Sequence, residues 1–373
     1  MDGLLCAANV TPLDGRPANG FNPAMTESKL TKIALYPFAG VTGPWVDDPF
    51  DTSMLPATLV PGVTIEDVTP LINEDTFSWL GDQLGKRDTE AMQEIRYAIV
   101  HRYEPDIYGE SDPKAEKLVR TLSACLRLVR PMRQDASFTR GTIRENKFQV
   151  DHFEHPNNLM EVPDVQKLFL LRNKDLVRLQ NVAGSFLKAM EGEFWKFRMG
   201  VSLHEAGHFA ALHWKGRMSL WCSALESIFT SRSPEHKGSL VAKERIKWFL
   251  GAATCIYAPG DMLSFEPQAK IAIGDVIDEL YELRNCLAHG EKTPDRFFAI
   301  KRTSLGEDLN LLGVLHEAIS FIIRESLLRI LEADLLHHFA DGPASEAYFG
   351  AAGLTDSQIR QRQRALPPQA KGA

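Results

Sequence analysis

The chain has 373 residues, of which 44% are hydrophobic and 24% are charged, as in an ordinary globular protein. The 49 acidic side chains outnumber the 42 basic ones, and the net charge of -7 argues against a broadly basic clamp for nucleic acid. Net charge governs solubility and long-range attraction, so a small basic site remains compatible with it.

The five cysteines are scattered and form no closely spaced pair, which is typical of core thiols in a reducing compartment. The first residues lack the basic start and the long apolar stretch of a secretory signal. No run approaches the roughly 20 apolar residues that a membrane span needs. We therefore expect a cytoplasmic protein with no membrane association.

The chain changes character near residue 160. Up to about residue 100, prolines and glycines separate short apolar runs such as KIALYPFAGV and PATLVPGVTIEDV, which predicts short strands and loops. The sequence of residues 96–104 is typical of another strand, and that of residues 113–129 is typical of a helix that begins at Pro113. The segment GTIRENKFQVDHFEHP is typical of a hairpin. Residues 1–160 are thus predicted to form an α/β domain with a sensing or regulatory role.

From Val165 onward almost every segment has helical periodicity with short breaks, which is typical of an antiparallel bundle. The predicted helices cover residues 164–190, 193–214, 217–230, 238–257, 268–288 and 308–338. The predicted fold class is therefore α+β. It combines the strand-containing domain with a helical domain at residues 161–340, followed by a C-terminal helix and a disordered tail at residues 341–373.

The predicted helix 268–288 carries an arginine where apolar side chains are expected. Its apolar stripe consists of Ile273, Val276, Ile277, Leu280, Leu283 and Leu287. Arg284 falls inside this stripe, and a guanidinium there is costly unless it meets an anion or a cleft. Gly290 directly after His289 predicts that the helix ends at this point, where side chains can reach a pocket.

Arg284 and His289 suit the cleavage of RNA without a metal. Such a reaction needs a group that exchanges protons near neutral pH, which histidine supplies. It also needs a fixed cation for the charge on the phosphate, which arginine supplies, while Asn285 can orient either group. On an ideal helix Arg284 and His289 lie about 140° apart, so they converge only if the helix ends early or two copies of the motif face each other.

The segment LYELRNCLAHG resembles the Arg-Asn-x-x-x-His signature of HEPN domains. Upstream, WCSALESIFTS and AKERIKWFLG resemble the helices that precede this motif in the Apea-like HEPN group. The resemblance covers about residues 160–335. It implies a helical HEPN-type bundle that forms a homodimer, in which two Arg–His motifs share one cleft.

Many HEPN proteins are metal-independent endoribonucleases of toxin or antiviral systems that leave a cyclic phosphate and a 5′-hydroxyl. The resemblance implies that His289 is the acid/base, that Arg284 holds the scissile phosphate and that Asn285 orients. Glu226 matches an acidic helix residue of the family and is expected to be a supporting polar group. No cofactor is implied, and the implied partners are an RNA substrate, a second copy of the chain and a regulatory protein.

Two alternatives stay open beside the ribonuclease. Some HEPN domains lack nuclease activity and serve as dimerisation or interaction modules. In addition, VSLHEAGHFAALHW contains an H-E-x-x-H string, which in zinc hydrolases places two imidazoles on one metal beside a glutamate that activates water. Here these residues would be His204, Glu205 and His208.

A catalytic zinc would need a third protein ligand in addition to His204 and His208. The candidates for it are His213, Glu226 and His236. The companion patterns of known zinc proteases are absent around them, and the string shares a helix face with aromatic and aliphatic side chains. The favoured interpretation is a polar cluster at a contact between helices or between subunits.

An arginine row lies along the predicted helix 113–129 and just beyond it. Its members are Arg120, Arg127, Arg130 and Arg133. Such a row is typical of a solvated helix face, and contact with an RNA backbone is the alternative.

Overall fold

The computed structural model describes residues 31–38, 51–71, 96–104, 113–130, 139–144, 147–153, 171–208, 212–231, 238–258, 269–302 and 308–365. Within these ranges the chain forms one six-stranded antiparallel sheet, two short two-stranded sheets and nine α-helices. The predicted α+β class is confirmed.

The large sheet lies in the N-terminal part of the chain. Its strands are β1 (Thr31–Phe38), β2 (Ala57–Val60), β3 (Val63–Asp67), β4 (Tyr97–Tyr103), β5 (Thr139–Arg144) and β6 (Lys147–Phe153), in the order β2-β3-β4-β1-β5-β6. The predicted hairpin is confirmed by the antiparallel pairing of β5 with β6. A tight turn joins β2 to β3 at Pro61 and Gly62, and the φ of +79° at Gly62 suits glycine because it has no Cβ.

The helices follow the predicted periodicity closely. They are α1 (Pro113–Val129), α2 (Asn173–Glu191), α3 (Trp195–Gly207), α4 (Trp214–Phe229), α5 (Gly238–Leu250), α6 (Ile273–His289), α7 (Leu311–Glu332), α8 (Gly342–Ala351) and α9 (Asp356–Ala365). The four remaining strands are β7 (Cys255–Ala258), β8 (Ala269–Ala272), β9 (Ile300–Arg302) and β10 (Asp308–Asn310). β7 pairs with β8, and β9 pairs with β10.

Most of the predicted helices were too long. Residues 171–172 of the predicted helix 164–190 are not helical, and the predicted helix 308–338 includes β10 at its start and ends already at Glu332. The helix predicted at 193–214 is interrupted after Gly207, and α4 starts already at Trp214, where the His213 side chain caps the amide of Lys215. The helices predicted at 238–257 and 268–288 each include one strand of the pair β7–β8. A four-residue apolar strand has no periodicity of its own that would separate it from an adjoining helix.

Helix α7 forms the centre of the core. Thirteen of its 22 residues are buried, and they face α1, α2, α3, α4 and α6 on different sides. A helix that is apolar nearly all round can exist only where neighbours cover it on every side. The same apolar cluster includes Leu122 of α1 and Ile65 of β3, so the core is continuous across the boundary predicted near residue 160.

The arginine row on α1 is a solvated face only at Arg120, whose side chain is 39% exposed and pairs with Glu116. For the next two members the expectation was wrong. Arg127 and Arg130 are buried where α1 meets the helical part of the chain. Arg127 donates to the carboxylate of Glu205, and Arg130 lies 3.9 Å from that of Asp175. Ion pairing of this kind offsets the cost of burying a guanidinium. Arg133 lies outside the described residues.

The last part of the chain packs onto the bundle through a buried arginine. Arg245 of α5 donates to the main-chain oxygens of Phe229 and Leu354, each at 3.0 Å, and to both carboxylate oxygens of Glu346 at 2.8 Å. Its guanidinium also lies 4.6 Å from the ring centre of Phe349. Residues 341–365 contain two helices, α8 and α9, where one was predicted. The predicted tail began at Gln363, but residues 363–365 belong to α9, and residues 366–373 lie outside the described part of the chain.

None of the helices in the described ranges is long and apolar enough to cross a lipid bilayer.

We predict that Arg245→Ala destabilises the protein far more than loss of an exposed ion pair. The substitution removes the cation that pairs with the half-buried Glu346 and the N–H groups that donate to two main-chain oxygens, which should lower the free energy of unfolding by about 3 kcal/mol. Urea denaturation followed by circular dichroism measures this change.

Arg296→Ala is the matched control. Arg296 pairs with Glu279 and Glu282 at 2.7 Å, but its side chain is 48% exposed. Its loss should cost less than about 1 kcal/mol. Equal effects of the two substitutions would show that the Arg245 contacts do not hold α8 and α9 in place.

Candidate functional site

The predicted apolar stripe of α6 is buried, and the helix ends where the glycine predicted it. Leu280 and Leu283 are fully buried, whereas Leu287 is partly exposed. Gly290 adopts a left-handed conformation with φ of 66°, and the amide of Glu291 bonds back to the carbonyl of Cys286 at 2.9 Å. The helix therefore stays regular up to His289 and stops abruptly after it.

Arg284 meets the anion that its position in the stripe requires. Its Nη2 atom lies 3.2 Å from Oε1 of Glu226 and donates a hydrogen bond to Oε2 at 3.3 Å. Glu226 belongs to α4, which packs against α6, so the residue expected to support the motif does contact it. Glu226 is the one hydrogen-bonding and ion-pairing partner of Arg284 within the described ranges. Its other N–H groups are available to a ligand, because the side chain is 31% exposed.

The ion pair lies beside two other buried polar groups. Burial raises the pKa of Glu226, and the nearby Arg284 opposes this shift. The Tyr281 hydroxyl and the Oε1 atom of Glu226 are buried, and neither forms a hydrogen bond with any residue that the structure describes. Burial also raises the pKa of Tyr281, and the charge of Glu226 adds to the effect of burial. The described residues leave further buried atoms without a hydrogen bond at His204, Glu205 and Arg324, so such atoms occur elsewhere in the interior as well as beside Arg284.

Asn285 and His289 are both exposed and do not share the surroundings of Arg284. Asn285 lines a small pocket of about 350 Å³ between α5 and α6, whose wall includes Lys243 and Asp278. His289 has no hydrogen-bond or ion-pair partner in the ranges that the structure describes. Because α6 is regular up to its end, Arg284 and His289 remain about 140° apart around its axis. Within one chain, the structure therefore brings Arg284 to Glu226 but not to His289.

A cleft that the sequence did not predict begins at Glu226. It has a volume of about 930 Å³ and lies between α3, α4, α8 and the start of α9. Trp195, with 52% of its surface exposed, and the buried Lys196 contribute to its wall. Burial and the charge of Arg245 lower the pKa of Lys196 to about 8, against the opposing effect of Glu346. The one available signal was a lysine placed among aromatic residues in EFWKF, which alone does not indicate a cleft.

The H-E-x-x-H string forms a buried polar cluster. His204 and His208 are buried, and their Nε2 atoms lie 3.2 Å apart, close enough for one ring to donate to the other. Ser320 Oγ lies 3.2 Å from the same atom of His204. The Trp221 indole donates to the main-chain oxygen of His204, and it packs so tightly against Gly207 that a Cβ there would clash with the ring.

The other residues considered for a zinc site take part in other contacts. Glu205 accepts hydrogen bonds from Arg127, and of the possible third ligands, His213 caps α4 and Glu226 pairs with Arg284. His236 lies outside the described residues. In the described ranges, no group of three or more His, Cys, Asp or Glu side chains is arranged to hold a metal ion. The geometry thus favours the polar cluster at a contact between helices.

Models of known protein families, curated proteins and solved structures yielded no match to this chain. The HEPN assignment therefore remains a prediction that rests on the motif and its context.

The buried histidines predict that the protein loses stability in acid. Burial, and then the charges of His208, Arg324 and Arg127, lower the pKa of His204 far below its usual range. The unfolded chain therefore binds a proton below about pH 6.5 that the folded chain does not, so the free energy of unfolding falls as the pH falls. His204→Gln keeps a polar group that cannot titrate. In this variant the free energy of unfolding should therefore fall less steeply with decreasing pH, by up to about 1.4 kcal/mol per pH unit.

Urea denaturation at several pH values between 4.5 and 7 measures this slope, and His289→Gln, at an exposed histidine, is the control. An unchanged slope in His204→Gln would contradict the prediction. So would a stoichiometric zinc ion that is present in the wild type and lost in His204→Gln, because it would restore the zinc alternative.

Proposed function

We propose that the protein is a metal-independent endoribonuclease of the HEPN type, in a defence or toxin role, and that its active site is completed by a second copy of the chain. The observation that carries the proposal is the arrangement of Arg284. It lies in the apolar stripe of α6, is tied to Glu226 on one side and keeps N–H groups free for a phosphate. A guanidinium that is partly exposed and held by one carboxylate can use its remaining N–H groups to bind a phosphate.

The proposed roles follow from the chemistry of each group. Arg284 holds the scissile phosphate and offsets its charge in the transition state. His289 exchanges the proton between the 2′-hydroxyl and the leaving oxygen. Asn285, exposed one position after Arg284, orients either the phosphate or the imidazole.

The geometry of α6 supports the second chain in this proposal. Arg284 and His289 differ by about 140° in direction, whereas both must contact one phosphodiester. A twofold axis close to the end of α6 would bring His289 of each chain towards Arg284 of the other, because a symmetric interface repeats each contact twice. The exposed side chains of Asn285 and His289 leave this end of α6 accessible.

We predict that the purified protein cleaves labelled single-stranded RNA in the presence of EDTA. His289→Ala should slow cleavage by at least about 100-fold, because it removes the proton-exchanging group. Arg284→Lys should slow it roughly 100-fold, because lysine keeps the charge but loses the planar fork. Gel electrophoresis of end-labelled RNA, with detection of a cyclic phosphate end, follows the reaction.

His337→Ala is the matched control, since His337 is an exposed histidine distant in sequence from the motif. It should leave the rate unchanged. A dimer that retains its fold but cuts no RNA would instead support the non-catalytic interaction module, and cleavage that EDTA abolishes would contradict the metal-independent mechanism.

The composite site makes a separate prediction about mixtures of inactive variants. If Arg284 of one chain acts with His289 of the other, a dimer of Arg284→Ala with His289→Ala contains one intact site and one that lacks both groups. Mixing and re-equilibrating equal amounts should restore about a quarter of the wild-type rate. If the mixture stays as inactive as its components, the two groups do not act across subunits.

A further inference from the structure

The C-terminal end of the chain concentrates positive charge. Residues 357–373 contain the basic side chains Arg360, Arg362, Arg364 and Lys371 and no acidic one, although the whole chain has a net charge of -7. The three arginines belong to α9. A local excess of one sign attracts polyanions even where the overall charge of a protein is negative.

Helix α9 is held in place at its first turn. The Thr355 amide donates to Oε1 of Gln358 at 3.0 Å, and the Gln358 amide donates to the Thr355 hydroxyl at 3.3 Å, which is a reciprocal capping box. Ile359 is 3% exposed and belongs to the same apolar cluster as Leu354, and α9 packs against α5. The arginines of α9 are therefore carried by an anchored helix.

The three arginines lie on one broad face of α9. At 100° per residue this face covers about 200° of the helix circumference, opposite the buried Ile359. The described side chains on it are those of Ser357, Gln358, Arg360, Gln361, Arg362 and Arg364. No carboxylate is among them, so nothing on this face neutralises the arginines at its far end.

Arg362 and Arg364 keep their donors. Both side chains are exposed, and neither forms a hydrogen bond or an ion pair in the ranges that the structure describes. Arg360, by contrast, pairs with Asp356 at 2.7 Å. A guanidinium has five N–H groups in a planar fork that suits phosphate oxygens, so two such forks on α9 are available to a phosphate backbone.

The composition of α9 favours a nucleic acid strand over a lipid surface. A helix that lies on a membrane needs an exposed apolar face that enters the lipid. The one large apolar side chain of α9, that of Ile359, is buried against the bundle. The glutamines between the arginines can add hydrogen bonds to phosphate and sugar oxygens, as side-chain amides do in many nucleic acid complexes.

Helix α9 begins at the cleft that also borders the proposed catalytic arginine. Asp356 and Ser357 line the cleft of about 930 Å³ together with Glu226, which pairs with Arg284. Contacts of a strand with Arg362 and Arg364 would therefore lie on the far side of this cleft from the scissile phosphate. They would contribute to the binding of the strand and not to the reaction itself.

We infer that the exposed face of α9 binds the phosphate backbone of single-stranded RNA through Arg362 and Arg364. The inference rests on the proposed ribonuclease function, to which it adds a second contact with the substrate, away from the scissile bond. It concerns binding alone, so it can be tested whether or not the protein cleaves RNA.

The test is fluorescence anisotropy of a labelled single-stranded RNA, titrated with the full chain at several salt concentrations. The chain carries His289→Ala, so that the RNA stays intact. Adding Arg362→Gln and Arg364→Gln should weaken binding at least about fivefold at about 0.1 M salt. It should also reduce the slope of log K against log salt by about 1.4, because each phosphate contact with a single strand contributes about 0.7.

Two further double variants serve as matched controls. Lys188→Gln with Lys215→Gln removes the same charge from two exposed positions outside α9 and should leave the affinity and the slope nearly unchanged. Arg362→Lys with Arg364→Lys keeps both charges and should keep most of the slope. Glutamine has nearly the helix propensity of arginine, so α9 should persist in the first variant, which circular dichroism checks.

Several results would overturn the inference. They are equal losses of affinity in the two glutamine variants, a lysine variant that loses as much of the slope as the glutamine variant on α9, and no RNA binding by the chain at micromolar concentrations. Binding to vesicles of an anionic phospholipid that depends on Arg362 and Arg364, without binding to RNA, would assign α9 to a membrane instead.

The two proposals fail in different ways. In a chain that cleaves RNA, Arg362→Gln with Arg364→Gln should raise KM and leave kcat unchanged. RNA binding through α9 without cleavage would sink the ribonuclease and keep the inferred role of α9. Cleavage with the same KM in the wild type and in this variant would keep the ribonuclease and sink the role of α9.

Discussion

The architecture depends on the burial of one apolar helix. Helix α7 is covered on nearly every side, so each helix around it must present an apolar face, and polar groups that fall into these contacts need partners inside the protein. Arg127, Arg245 and Arg324 illustrate this requirement, since each buried guanidinium donates to a carboxylate or to main-chain oxygens. Buried cations in this protein therefore fix how its elements pack against one another.

Arg284 departs from this pattern in a way that points to function. Its side chain is nearly one-third exposed and is bound by a single carboxylate, that of Glu226, and the Tyr281 hydroxyl beside it forms no hydrogen bond with a described residue. A fold that satisfies Arg245 with four hydrogen bonds could satisfy this arginine as well. A partly exposed guanidinium that keeps N–H groups beyond its one ion pair can bind an anion from solution, which the fully buried guanidinium of Arg245 cannot.

The sequence predicted the periodic features and missed those that depend on distant neighbours. The helices, the β5–β6 hairpin and the end of α6 at Gly290 follow from local spacing and were found. The same spacing made the arginines of α1 look solvated, because helical periodicity does not reveal that Glu205, 78 positions away from Arg127, neutralises one of them. It also allowed two interpretations of His204 and His208, and only the packing of Trp221 and Ser320 around them favoured one. The cleft was missed because its walls combine residues 195–231 with residues 341–357, which are more than about 100 positions further along the chain.

Glu226 determines how firmly Arg284 is oriented, through its own ionisation. Burial raises the pKa of Glu226, so the carboxylate that holds Arg284 is less stable than a solvated one. The guanidinium opposes this shift, so the two charges of the pair stabilise each other. Protonation of Glu226 would remove the one ionic partner that Arg284 has among the described residues, and it would leave the group proposed to hold the phosphate less firmly oriented.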